Sequence, residues 1–348
     1  MFTFAGKLHI NNFSCIMANV IKIKKGLDIN LKGKASDVLL NGGKSESYAI
    51  VPDYYNGILP KVVAKVGEKV KAGSVLMIDK NRPEIKFVSP VSGEVTAVNR
   101  GEKRKVLSVV VKPEAQIEYE DFGKKNVASL KREEVKEAIL HAGMWPFIKQ
   151  RPYDIVAAPL DTPRDIFVSA FYSAPLAPNF DFIVKGQEAD FQTGLNALAK
   201  LTNGKVYVGV RSGSVVSGVK GVEIVEVEGP HPAANVGVQI NHIKPVNKGE
   251  VVWTVNPADV IVIGRLFNKG VADFSRMVAI TGSETTERGY VKTISGCTIK
   301  SLVNGKVLGQ EHIRIISGNV LTGTKVNMDG YLGAYDNQIT VIPEGDET

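Results

Sequence analysis

The chain has 348 residues, of which 44% are hydrophobic and 23% charged, with a formal net charge of +7. That length supports two or three domains with buried cores, and no run approaches the roughly 18 consecutive apolar residues that a membrane-spanning helix requires. The lysines are spread without a compact basic run interleaved with aromatics, which excludes nucleic acid as a partner. The two cysteines, Cys15 and Cys297, are too few for an iron–sulfur cluster or a cysteine-only zinc site.

Residues 1–16, MFTFAGKLHINNFSCI, lack the charged start, apolar run and small-residue cleavage site of a secretory signal. They read as an upstream extension, with Met17 opening a more natural start. From Val20 to Lys112, short runs rich in Val and Ile are punctuated by Gly, Asn-Gly and Pro, which predicts β structure. Within this half, Leu59–Val106 resembles a biotinyl or lipoyl carrier domain of the barrel-sandwich type. Gly67 and Gly73 bracket a turn in VGEKVKAG, and Val91–Val95 opens a second, similar half. At the hairpin tip where a carrier presents its modified lysine stands Asp79-Lys80-Asn81-Arg82-Pro83, so Lys80 reads as a solvated turn residue and no covalent cofactor is expected.

At Ser129 the period changes from two to that of a helix. Val135, Ala138 and Ile139 share a face, with Ser129 as the expected cap and Gly143 past the end. Tyr153–Pro159 and Asp165–Ala170 are predicted buried strands. Phe191, Leu195, Leu198 and Ala199 form the face of a second helix, which stops at Asn203-Gly204 before strands Lys205–Val210 and Val222–Val227. A helix is expected from Pro232 to His242 and another over Pro257–Phe267. Strands alternating with helices predict an α/β layer with a largely parallel sheet. From Met277 the pattern returns to short strands and turns such as Asn304-Gly305, and the hydrophilic tail from Pro343 does not read as a closing element.

No pair among His9, His141, His231, His242 and His312 has the close helical spacing of a metal motif, and no metal site is expected. Gly-x-Ser-x-Gly, Walker and HExxH motifs are absent. Arg211-Ser212-Gly213-Ser214 follows a strand without running into a capped helix and reads as a loop. The run Glu228–Gln239 is more specific. Gly229, Pro230 and His231 fall at the carboxyl end of a strand, where α/β folds place ligands, although a rigid strand-to-helix turn accounts for them equally well.

KIKKGLDINLKG, HAGMWPFIKQRPYD, EGPHPAANVGVQINHIKPV and RIISGNVLTG together resemble the A subunits of the bacterial Na+-translocating NADH:quinone oxidoreductases, from about Met17 to the C-terminus. The resemblance implies an α/β multi-domain chain: 1–16 an extension, 17–120 an N-terminal β domain with a barrel-sandwich hybrid, 121–272 a Rossmann-like α/β domain, and 273–348 a β-grasp domain of the soluble-ligand-binding type. Members of that family continue beyond the last residue here. The family is related to the flavin- and NADH-binding subunit of respiratory complex I, whose Gly-rich loop reaches nucleotide phosphates. At the matching place stand His141-Ala142-Gly143-Met144-Trp145-Pro146-Phe147, with most glycines gone.

The resemblance further implies a peripheral subunit on the cytoplasmic face of the inner membrane. It would reach the membrane surface through partner subunits, take quinone as substrate, and leave flavins and Fe–S clusters to those partners. Met144, Trp145 and Phe147 are the expected lining of a quinone site, with Lys149 and Arg151 as donors to a quinone oxygen. Packing of the Trp and Phe and surface roles for the two cations are the plain alternatives. A ligand-free structural adaptor and an active NADH:flavin enzyme are the rival functions, and the lost glycines argue against the second.

Overall fold

The computed structural model describes residues 19–309 and 311–346, so the reading of 1–16 lies outside the described residues. The first described strand, β1 (Asn19–Lys22), does not belong to the barrel-like unit that follows it. Its chain continues as an extended segment to Gly43. The next seven strands are β2 (Tyr48–Ile50), β3 (Pro60–Val62), β4 (Lys69–Val70), β5 (Val75–Asp79), β6 (Lys86–Val88), β7 (Gly93–Arg100) and β8 (Val106–Pro113). They form two small antiparallel sheets, in the orders β2-β8-β7-β4 and β3-β5-β6. Their alternating side chains put Leu76, Val95, Val109 and Val111 into one core, as period-two patterning requires, and Val91 joins it from the β6–β7 turn.

The β5–β6 hairpin holds the expected arm position. Asp79 is buried there: its Oδ1 accepts from the backbone N–H of Leu59 and of Asn81 (both 3.1 Å), and its Oδ2 from Nε of Arg82 (2.7 Å). Arg82 then donates to the carbonyls of Gly57 (2.8 Å) and Val156 (3.1 Å). The tip that presents a lysine in carriers here clasps the next unit through an arginine.

That unit comprises α1 (Arg132–His141), β9 (Lys149–Arg151), β10 (Ile155–Val156), β11 (Ile166–Ser169), α2 (Phe180–Val184), α3 (Glu188–Lys200), β12 (Val206–Val210), β13 (Glu223–Glu228), α4 (Val236–Ile243), β14 (Val252–Thr254) and α5 (Pro257–Lys269). Its seven-stranded sheet runs β1-β13-β12-β11-β14-β9-β10, parallel from β1 through β14, with the β9–β10 hairpin antiparallel at one edge. The chain steps outward from β11 to β12 to β13, then returns to the other side of β11 as β14. The order therefore reverses between β11 and β14.

Three local expectations need correction. α1 starts at Arg132, because Leu130 is extended and the carboxylate of Glu134 caps the N–H of Lys131 (2.7 Å), while Ser129 sits in a preceding 3₁₀ turn. Of Tyr153–Pro159 only Ile155–Val156 is strand, since Asp154 turns the chain at φ +52°. α4 starts at Val236, because the N–H groups of Ala233 and Asn235 close short turns onto Pro230 and Pro232.

The longest helices, α3 and α5, cross at glycines. A Cβ on Gly264 would overlap the Asp190 carbonyl, and one on Gly194 the Val260 carbonyl. Gly264→Ala is accordingly expected to force the helices apart and lose about 1–3 kcal/mol, read as a lower urea midpoint. An unchanged midpoint would show that the crossing has slack.

The last unit holds β15 (Ser275–Thr281), β16 (Gly289–Ile294), α6 (Ile299–Val303), β17 (Ile313–Ser317), β18 (Thr324–Lys325) and β19 (Gln338–Pro343). Its sheet order is β16-β15-β19-β17-β18, with β15 and β19 parallel. The tail from Pro343 does take part in this unit: Glu344 donates its N–H to the His312 carbonyl (2.7 Å) and binds Arg314 and Lys325 (2.8 Å each). The segment after β1 reaches this sheet too, pairing Val38 and Leu40 with Tyr290 (2.8 Å each). One extended stretch thus borders both larger sheets.

Candidate functional site

A ligand-sized crevice of about 660 Å³ lies at the carboxyl ends of β11 and β12, beside the reversal of strand order. Residues 170–178 leave β11 as one wall, Arg211 and Ser214 follow β12, and residues 28–31 and 34–37 of the N-terminal segment close the side. Phe171, Tyr172, Leu176 and Phe180 supply the apolar surface. Leu176 is 7% exposed with φ +58°, a left-handed backbone that a branched side chain adopts only where surrounding structure imposes it, and such strain concentrates at functional sites.

The polar groups are largely pre-set. Arg211 donates to the carbonyls of Val227 (3.0 Å) and Gly229 (2.8 Å), with its guanidinium 4.5 Å from the centre of the Phe171 ring. Asp181 accepts from Ser214 Oγ (2.6 Å), and Asp37 from Asn179 Nδ2 (2.8 Å). Three carboxylates, Asp28, Asp37 and Asp181, face two cations, Lys34 and Arg211, so the lining opposes a pyrophosphate and suits a neutral ligand.

The predicted turn Gly229-Pro230-His231 lies behind this crevice and braces it. His231 donates its N–H to Asp28 Oδ1 (2.8 Å), accepts at its carbonyl from Leu27 (2.9 Å), and places Nδ1 3.1 Å from Ser173 Oγ. Gly229 has φ +115° and no room for a Cβ against the Ile23 carbonyl, which accounts for glycine at that point.

The predicted quinone lining is placed elsewhere. Met144 and Trp145 have no exposed surface and Phe147 only 6%. Trp145 meets Trp253 edge to face (5.4 Å) and donates Nε1–H to the Ala157 carbonyl (2.8 Å). The gap bordered by Gly143, Phe147, Tyr55 and Phe274 holds about 40 Å³, too little for a quinone ring. Val88 of the barrel-like unit packs directly on Gly143. Lys149 and Arg151 lie on β9 and both approach Asp154 (3.4 Å), and Lys149 Nζ also sits 4.2 Å above the Tyr335 ring.

Next to them is a buried ionic cluster that the sequence did not announce. Arg276 Nη2 donates to Asp259 Oδ1 (3.0 Å), both side chains being at most 2% exposed, while Asp259 Oδ2 has no hydrogen-bond partner. Burial pushes the Asp259 carboxyl up to about 6 despite the opposing pull of Arg276, and burial likewise raises Asp336. Arg276 is further held by Ser295 Oγ (2.7 Å) and Asn337 Oδ1 (3.4 Å). Asn337 in turn donates to the Tyr172 hydroxyl (3.1 Å), whose ring reaches the crevice.

Sequence reasoning missed the crevice wall itself. The run FYSAPLAPN follows a buried strand, as EGPHP does, and the same carboxyl-end argument applied there would have found it. The contribution of residues 28–37, more than 130 positions away, carries no local signal. Among the described residues, no group of His, Cys, Asp and Glu is arranged to hold a metal ion, and no helix is long and apolar enough to cross a membrane.

Family models agree in order with this architecture. "NqrA N-terminal barrel-sandwich hybrid domain" matches residues 21–114, "NqrA second alpha/beta domain" residues 130–272, and "NQRA C-terminal domain" residues 277–328. The A subunit of the Na(+)-translocating NADH-quinone reductase of Neisseria meningitidis is 37% identical over 331 residues, covering 94% of this chain and 74% of its own length. The corresponding A subunits of Yersinia pestis (36% over 333 residues) and Hahella chejuensis (37% over 332) cover the same shares. With a barrel-sandwich unit, an α/β unit and this identity over nearly its whole length, the chain belongs to the family of A subunits of the Na(+)-translocating NADH-quinone reductases.

Proposed function

We propose that this subunit binds the quinone headgroup in the crevice at the carboxyl ends of β11 and β12, as a peripheral, cytoplasmic-face member of the complex. The observation that carries this reading is a 660 Å³ space in which Phe171, Tyr172 and Leu176 stand among polar residues, with a charge balance unsuited to phosphates. Phe171, Tyr172 and Leu176 would hold a flat ring and exclude water, while Arg211, fixed on the carbonyls of Val227 and Gly229, shapes the wall. Reduction of quinone to quinol takes two electrons and two protons; the electrons would come from flavins and clusters in partner subunits, so the isolated chain would be inactive. The division at 17–120, 121–272 and 273–348, with a Rossmann-like second and β-grasp-like third domain, belongs to the same proposal. The β13–β12–β11–β14 order supports its Rossmann-like part.

The burial of Met144 and Trp145 favours a second reading, in which this chain is a ligand-free adaptor. Ala174→Trp separates the two, because a half-buried alanine on the crevice wall is replaced by an indole that projects into the space. In the assembled complex the quinone reading predicts a rise of about tenfold or more in KM for short-chain ubiquinone, the equivalent of about 1.4 kcal/mol of binding. NADH oxidation by an artificial acceptor should stay unchanged. An unaltered quinone KM would reject the crevice and leave the adaptor.

A further inference from the structure

The extended segment after β1 carries Lys22, Lys24, Lys25, Lys32 and Lys34 against a single acid, Asp28, which is committed to the His231 N–H. Lys22 pairs with Glu228 (3.4 Å); among the described residues the other four lysines form no salt bridge. Between them Leu27, Ile29 and Leu31 are 71, 41 and 39% exposed. The row is held at both ends: Ile23 and Leu27 donate to the carbonyls of Glu228 and His231 (2.9 Å each), and Gly282 donates to Gly33 (2.8 Å). Lysines alone would be ordinary protection of a sheet edge, but that protection does not call for three aliphatic side chains in the same exposed row.

We propose that this stripe docks directly on anionic lipid headgroups, with the aliphatic row entering the interface and the flanking lysines on the phosphates. The composition favours lipid over a protein partner. Protein interface centres are enriched in Tyr, Trp and Arg and depleted in Lys, whereas residues 22–34 contain none of the first three and five of the last. Exposed aliphatics flanked by long, flexible lysines suit a bilayer boundary. Ile29, Leu31 and Lys34 also border the crevice, whereas Lys24, Lys25, Leu27 and Lys32 lie outside its lining.

The test is flotation of the full chain with phosphatidylcholine vesicles, with and without phosphatidylglycerol. Binding is expected only to the mixed vesicles, weakening with added salt. The triple variant Lys24→Glu, Lys25→Glu, Lys32→Glu should lower the partition coefficient at least about tenfold, and Leu27→Ser should lower it while leaving the salt dependence intact. These side chains are exposed, and an unchanged circular dichroism spectrum checks the fold. Failure to bind mixed vesicles, or equal binding by the triple variant, overturns the proposal. Loss of assembly with partner subunits in the triple variant, without vesicle binding by the native chain, would instead assign the stripe to a protein.

Discussion

Trp145→Ala is expected to destabilise the fold by about 3–5 kcal/mol, the range for deleting a fully buried large aromatic. The indole has no exposed surface and packs on Trp253, so its removal leaves a cavity beside that ring. Its edge-to-face pairing with Trp253 accounts for about 0.5–1.5 kcal/mol of that effect, and the Ala157 carbonyl is deprived of its buried donor. Trp145→Phe keeps an aromatic ring against Trp253 but not that hydrogen bond and should fall well short of the alanine loss. Guanidinium denaturation of the chain measures both. On the proposed function, complexes that remain folded should keep their quinone KM, because Trp145 does not line the crevice. A stability loss under about 1 kcal/mol together with a raised KM would return the quinone site to Trp145.

Arg276→Met should be comparably severe, at about 3–5 kcal/mol near neutral pH, since it leaves the Asp259 carboxylate buried without its cation. The pH dependence distinguishes this from ordinary repacking. Asp259 is raised from an ordinary aspartate value of 3.8 to about 6 in the folded chain, so between those values the folded state holds a proton that the unfolded state has released. Stability from this group is therefore gained as pH falls through that window, by up to about 3 kcal/mol once the lower end is reached, from a shift of roughly two units. Asp336, raised in the same direction by burial, adds to the trend. The groups that face the Asp259 carboxyl are Arg276 and Lys149, which favour its charge, and the phenols of Tyr55, Tyr172 and Tyr335, which stay neutral because burial raises them. Arg276→Met should thus lose less stability at pH 5.5 than at 7.5, because protonation relieves the orphaned carboxylate. Asp259→Asn should flatten most of the native slope. Melting temperatures at the two pH values, from native chain and both variants, decide it, and parallel losses at both would remove Asp259 from the account.

Local elements and the class of the chain were legible in the order of its residues. Period-two runs named the barrel-like strands, and the spacing of Phe191, Leu195 and Leu198 named the face of α3, because both record which side chains must leave water. The family was legible only as a resemblance carried by unusual segments such as HAGMWPFIKQRPYD and EGPHPAANVGVQINHIKPV, and it was that resemblance that gave the glycine-poor stretch His141–Phe147 and the absent thiolates their meaning. The local rules failed where a turn competed with a helix, at Ser129 and at Pro232, because i-to-i+3 hydrogen bonds there satisfy the same donors that a helix start would leave free.

Which inward faces meet is a matter of three-dimensional packing alone. Trp145 and Phe147 were legible as large apolar side chains, but whether such rings line a cavity or fill a core depends on the Trp253, Phe274 and Val88 brought against them from distant segments. The crevice likewise joins residues 28–37, 170–178 and 211–214, and Asp259 meets Arg276 across two separate units. Hydrophobic periodicity specifies burial one element at a time. The partner of each buried face, and hence every cavity and every buried charge, is set by how the elements pack together, which leaves no periodic trace in the chain.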